Sequence, residues 1–304
     1  MSRRILVSFD NTSRTEPALR YACSTFPADE LAVLYTIDQR TDETASAGWG
    51  NSPDQFKTWV ASRREYATEV FERAETIAGE YDTTITPVIA LGRTHRTIIA
   101  EYERRDADFV VLGLRGRSRL QSFLQGDIYE RILRTAESFV PMVPVRTSWR
   151  PLHTGVSPDE PREIVVPFDG SQSAKLALEF ACSTFSDQSL VATFVDSSPP
   201  RVPSRDWDES DTGVDALFED YREQREDVLT EATTIASQQG VDLETVPRYG
   251  SSDEAILQFV AERDSDLVVV GMGDPPHRRR LLFEPLFEEL VHNASAPVLG
   301  VGDW

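Results

Sequence analysis

Residues 108–129 read DFVVLGLRGRSRLQSFLQGDIY. The run Phe109-Val110-Val111-Leu112 is apolar without alternation, as a strand buried on both faces of a parallel sheet requires. Glycines follow at 113, 116 and 126, spaced G-x2-G-x9-G. Beyond Gly126, the residues Ile128, Ile132 and Leu133 recur at helical spacing. Strand, glycine-bearing loop and helix start form an arrangement that turns backbone N–H groups toward a phosphate. On this reading, side chains at the glycines would hold the backbone away from the ligand. The same glycines also suit a tight strand-to-helix turn with no ligand.

Strands and helices alternate outward from this stretch. Ile5–Phe9 is an apolar strand, and Thr15–Phe26 a helix with Pro17 in its first turn. Leu31–Ile37 is a second strand, followed by a polar loop over 38–53. A long helix from about Asp54 to Gly79 keeps Phe56, Val60, Ala67, Val70, Phe71, Ala74, Ile77 and Ala78 on one face. Thr84–Ala90 reads as a strand, Thr94–Arg104 as a helix and Asp108–Leu114 as the fourth strand. A helix from about Asp127 and a short strand at Met142–Val145 complete the unit.

The unit is then repeated. ILVSFD at 5–10 returns as IVVPFD at 164–169, and ACSTF at 22–26 returns unchanged at 181–185, both 159 positions later. Gly92 and Gly250, Asp108 and Asp266, and Gly113 and Gly271 stand 158 apart. A register held over a domain length with one single-residue slip marks a duplication. The reading is a first domain over 1–147, a Pro- and Gly-bearing linker over 148–162 and a second domain over 163–304. Alternating β and α elements predict an α/β fold with parallel sheets covered on both faces. Ligands in such sheets bind beyond the carboxyl ends of the strands, where the strand order reverses.

The 304 residues carry 51 acidic and 31 basic side chains, a formal net charge of −20. Only Lys57 and Lys175 are lysines. Such a surface argues against nucleic acid or an anionic membrane as a partner. Acid excess with almost no lysine fits the salt-rich cytoplasm of a halophilic archaeon; the alternative is an ordinary acidic protein. No stretch approaches the ~20 apolar residues of a membrane span, and the apolar run after Ser2-Arg3-Arg4, Ile5 to Asp10, is too short for a signal peptide and reads as a strand. The expected location is the cytoplasm. Cys23 and Cys182 make no disulfide framework and read as small core residues. The four histidines show no metal-ligand spacing.

The glycine spacing, the strands ending in SFDNTS and PFDGSQ, and the closing ASAPVLGV together resemble the universal stress protein family. The resemblance covers nearly the whole chain, as a tandem of two family domains. It implies Rossmann-like domains, each a five-stranded parallel sheet of order 3-2-1-4-5, joined through their last strands in a pseudo-two-fold internal pair. It leaves room for a homodimer and for an unnamed protein partner. It also implies an adenine nucleotide such as ATP, with Mg²⁺, as cofactor. Asp10 would lie near the adenine and ribose, Ile37 would pack on the base, and Leu112 and Gly113 would flank the sugar. Gly116, Gly126, Asp127 and Ile128 would face the phosphates.

Several positions carry a second reading. The family places Ser or Thr where Asp127 stands; a carboxylate there repels phosphate unless a metal bridges them, yet it suits a helix N-cap. Asp10 could equally tie down the loop after the first strand. His95 reads as a phosphate neighbour or as a surface residue. Arg115, Arg117 and Arg119, like Arg278, Arg279 and Arg280, could attract phosphate or pair with nearby carboxylates. The second copy has Asp274 and Glu284 where the later glycines belong, followed by Pro285, which predicts a degenerate site. No nucleophile elbow, Walker loop or metal cluster stands out, so the expectation is a binding module and not an enzyme. The competing expectation is a nucleotide-free interaction module of the same fold.

Overall fold

A computed structural model describes residues 2–38, 53–114, 128–149, 161–196, 213–249, 252–273 and 285–302. The chain divides into two compact units, Met1–Glu160 and Pro161–Asp303. The first holds β1 (Arg4–Ser8), α1 (Glu16–Thr25), β2 (Glu30–Ile37), α2 (Pro53–Gly79), β3 (Ile85–Leu91), α3 (Thr94–Arg105), β4 (Phe109–Leu114), α4 (Ile128–Thr135) and β5 (Met142–Arg146). All its strand pairs are parallel, in the order β3-β2-β1-β4-β5. The second unit follows the same plan with β6 (Glu163–Pro167), α5 (Gln172–Thr184), β7 (Ser189–Asp196), α6 (Gly213–Gln238) and β8 (Leu243–Tyr249). It ends with α7 (Ser252–Glu262), β9 (Leu267–Met272), α8 (Pro285–Asn293) and β10 (Val298–Gly302). Its order is β8-β7-β6-β9-β10, again parallel.

The central strands are apolar because helices cover both their faces. Phe109 to Val111 are fully buried, and so are Leu267 to Val269. In α2, Ala67, Val70, Ala74, Ile77 and Ala78 are buried at three- and four-residue steps, which lays one stripe on the sheet. The order reverses between β1 and β4, so the loops after those strands diverge from a common edge. Each unit is stitched at the amino end of its first strand. Arg4 N–H donates to Asp108 Oδ2 at 2.7 Å, and Glu163 N–H to Asp266 Oδ2 at 2.9 Å.

The duplication extends to backbone conformation. Asn11, Asp82 and Asp106 have φ of 60°, 52° and 49°, and the matching Gly170, Gly240 and Asp264 have 79°, 72° and 52°. The left-handed turns are therefore shared, although two of the three side chains became glycine. Trp149 lies in the stretch read as linker. It is buried against the first unit, its ring edge-on to Tyr21 at 5.2 Å. Arg162, at the other end of that stretch, is buried in the second unit and donates its N–H to Gln188 Oε1 at 2.6 Å.

Candidate functional site

At the carboxyl edge of the first unit's sheet the chain leaves β1 through Asp10. Its Oδ1 accepts from Thr12 N–H at 3.1 Å, Thr12 Oγ1 at 2.6 Å and Thr15 Oγ1 at 2.7 Å. Asp10 N–H in turn donates to Thr15 Oγ1 at 3.2 Å. The structural role of Asp10 is thus present: it locks the turn through Asn11 and sets the start of α1. These bonds use a single carboxylate oxygen, and none of the described residues donates to Oδ2.

The end of β2 is fixed in a similar way. Asp38 Oδ2 accepts from Thr94 N–H at 2.8 Å and from Thr94 Oγ1 at 3.0 Å, so a residue 56 positions away caps α3. Ile37 O accepts from Gly92 N–H at 3.1 Å. The Ile37 side chain is 2% exposed and belongs to the core, so its main chain is what faces the edge. Leu112 is likewise buried. Ile128 opens α4 half-buried, and Tyr129 after it is buried.

Gly113 has a different reason to be glycine from the one the loop pattern suggests. A Cβ there would collide with the carbonyl of Arg14 and lie 2.9 Å from Thr15 Cα. The backbone that needs the space is the turn entering α1, not a ligand. Gly271 repeats the contact, with Ser173 and with Ala174 N at 2.8 Å. Close packing of β4 or β9 on the first helix thus explains why this glycine survives in both copies while the later ones do not. Gly116, Gly126 and Asp127, with Arg115, Arg117 and Arg119, lie outside the described residues, as do Asp274, Arg278, Arg279, Arg280 and Glu284.

Asp10, Ile37, Leu112, Gly113 and Ile128 thus sit on elements that end or begin at one edge of one sheet. Sequence reading missed Asp38, Arg96 and Arg131. The partly buried His95 has its pKa lowered by burial first, then by Arg131, Arg96 and Arg93, while Asp38 opposes the shift. Its neighbourhood is therefore cationic. The signal lay in comparing the copies: Arg93, His95, Arg96 and Arg131 correspond to Ser251, Asp253, Glu254 and Glu289.

The corresponding edge of the second unit holds a cavity of about 110 Å³. Phe168, Asp169, Ser173, Thr193, Ile256 and Gly271 are among its lining residues. Asp169 Oδ1 accepts from Ser171 N–H at 2.9 Å, and Ser171 Oγ caps α5 by accepting from Ala174 N–H at 3.2 Å. Pro285 is the first residue of α8, where a missing N–H costs the helix nothing. Among the described residues no group of three or more His, Cys, Asp or Glu is placed to hold a metal ion. No described helix is long and apolar enough to cross a membrane. Both cysteines are buried; burial pushes the Cys23 thiol up to about 12 and the Cys182 thiol to about 11.

Comparison with known proteins agrees with this architecture. Universal stress protein MJ0531 of Methanocaldococcus jannaschii is 27% identical over 146 residues, covering 46% of this chain and 81% of its own. Stress response protein NhaX of Bacillus subtilis is 26% identical over 158 residues, covering 45% of this chain and 95% of its own. The crystal structure of a universal stress protein from Archaeoglobus fulgidus matches 99% of both chains with a TM-score of 0.65 at 18% identity, a likeness of fold. The model of the universal stress protein family matches twice, over residues 1–144 and 161–302. With both halves of its length matched in this way, the chain belongs to the universal stress protein family and carries two of its domains in tandem.

Proposed function

We propose that the first unit binds an adenine nucleotide, ATP with Mg²⁺ foremost, at the carboxyl edge of its sheet. The second unit keeps the fold but has a changed site that no longer accepts one. The chain then works in the cytoplasm as a stress-response binding module, without turnover as its purpose. The observation that carries this reading is the state of Asp10. One oxygen holds the loop, while the described residues leave Oδ2 to accept from an adenine amine or a ribose hydroxyl. Family membership supports it, and so does the cationic neighbourhood of His95 on the same edge. At the second unit's edge, Asp253 and Glu254 occupy the first turn of α7, which disfavours a phosphate. The charge of −20 with two lysines supports a salt-rich cytoplasm as the working medium.

The test is thermal unfolding with and without ATP and Mg²⁺. Ligand at a hundred times its dissociation constant stabilises a protein by about 2.7 kcal/mol. Wild type should show the shift and Gly116→Val should lose it. Absence of a shift in wild type, with no nucleotide in an acid extract of the purified protein, would sink the proposal. That result would favour a nucleotide-free interaction module. One observation supports that second reading: Ile89 and Leu91, on the outermost strand β3, are 44% and 53% exposed.

A further inference from the structure

We propose that Arg93, His95 and Arg96 at the start of α3, with Arg131 on α4, form a wall that reads phosphate number, so that the first unit selects a nucleoside triphosphate over a monophosphate. The inference rests on the nucleotide reading above and specifies its ligand.

The four groups come from two helices that pack against each other. Arg93 is the N-cap residue of α3, His95 and Arg96 lie in its first turn, and Arg131 lies in the first turn of α4, against which α3 packs; the lowered pKa of His95 is consistent with their nearness. Among the described residues, the carboxylate that opposes them at His95 is Asp38. Its Oδ2 is already engaged by the Thr94 N–H and hydroxyl. The helix end itself is therefore capped, and what it offers to a ligand is the exposed side chains of Arg93 and Arg96. Elsewhere arginines hold carboxylates: Arg20 and Arg73 pair with Glu16, and Arg104 and Arg105 with Glu101. Arg93 and Arg96 hold none among the described residues, although the chain carries 51 acidic side chains.

The second unit provides an internal control. Its matching residues are Ser251, Asp253, Glu254 and Glu289, so a serine and three carboxylates stand at the positions of three cations and a histidine. The strand order, the first-strand aspartate and the packing glycine are common to both units. The scaffold is constant while the charge at this edge is inverted, so the two units offer an anion opposite surroundings at matching positions. In a chain of net charge −20, a local cationic wall also steers an anion toward one edge only. A triphosphate adds two charged groups to a monophosphate, and each can take a charge-assisted bond from a guanidinium.

His95 adds a pH dependence. The charges acting on it are Arg93 and Arg96 on its own helix, Arg131 on α4 and Asp38 at the end of β2. With the site empty, burial and the arginines hold the imidazole neutral below its usual range near 6.5. A bound polyanion reverses that balance, so binding takes up a proton. Affinity for the triphosphate rises as pH falls through that range.

The experiment is calorimetric titration of the full chain with ATP, AMP and inorganic tripolyphosphate, at pH 8 and pH 5.5. Wild type should prefer ATP to AMP by about a hundredfold, about tenfold for each α3 arginine. The exposed pair Arg93→Ala/Arg96→Ala should bring the two nucleotides within about threefold of each other while AMP affinity changes less than about twofold. Arg131→Ala, on the other helix, should act in the same direction. His95→Gln should flatten the pH dependence of ATP binding relative to wild type; the nucleotide's own titration is common to both proteins. An ATP preference unchanged in these variants overturns the wall and leaves the nucleotide reading standing. Tripolyphosphate binding that needs Arg93 and Arg96, with no binding of either nucleotide, supports the wall and removes the adenine reading. Binding of none of the three removes both.

Discussion

Gly113 shows how one residue can be right in place and different in cause. Its position in the glycine spacing invites a ligand role, but its missing side chain is required by Arg14 and Thr15. Gly113→Ala should therefore destabilise the chain by about 2 kcal/mol, with or without nucleotide, because backbone yields less readily than a side chain. Urea unfolding in both conditions measures it. A variant as stable as wild type that no longer binds ATP would return the residue to the ligand. Asp38 was beyond sequence reading for a related reason. Its partner Thr94 is far along the chain, and the two meet only because Ile37 pairs with Leu91 in the β2–β3 register. His95 was visible, but its neighbour Arg131 lies on another helix, so the sign of its surroundings emerged only in three dimensions.

At the scale of elements, the central strands of the first unit were legible to within a residue because buried parallel strands leave an uninterrupted apolar run. The run Phe109–Val111 is an example, buried on both faces in the structure. The end of the first unit was less legible. Trp149 follows the last strand without periodicity, and only its contact with Tyr21 assigns it to the core. Helix placement depends partly on charge. Arg20 on α1 donates to Glu16 at 2.9 Å and to Glu80, just beyond α2, at 2.6 Å. For Glu16, burial alone would raise the pKa, but the bonds and charges of Arg20 and Arg73 outweigh it. Glu80 is lowered chiefly by its bond from Arg20. Both carboxyls are thus more acidic folded than unfolded. Their contribution is full above the ordinary value of 4.5 and is lost as pH falls below it. Glu80 is 45% exposed, so solvent screens much of the effect. Arg20→Gln should cost about 1 kcal/mol at neutral pH, a difference that shrinks in acid. Chemical denaturation across pH measures it, and a difference that grows in acid would contradict the assignment.

At the scale of the molecule, duplication preserved the scaffold and freed the surface to diverge. The shared positive-φ positions and the shared packing glycine belong to the scaffold. The opposed charges at the two carboxyl edges belong to the surface, where substitution costs little. The same freedom governs the net charge. With 51 acidic against 31 basic residues, the folded chain concentrates like charge that the unfolded chain disperses. At about 0.1 M salt the screening length is about 10 Å, long enough for neighbouring carboxylates to repel; at 1 M it is about 3 Å. Salt also weakens exposed pairs such as Arg4–Asp106 and Lys57–Asp54, but each of these contributes only about 0–1 kcal/mol. The excess of acid should therefore decide the outcome. Raising KCl from about 0.1 to 2 M should raise the unfolding temperature by about 5–10 °C, at roughly 2–4 °C per kcal/mol of relieved repulsion. Potassium chloride is the suitable salt, because sulfate or phosphate would strengthen apolar burial in any protein. A transition that stays level or falls between those concentrations would show that the acidic surface is not adapted to salt, and would withdraw the salt-rich cytoplasm from the proposed function.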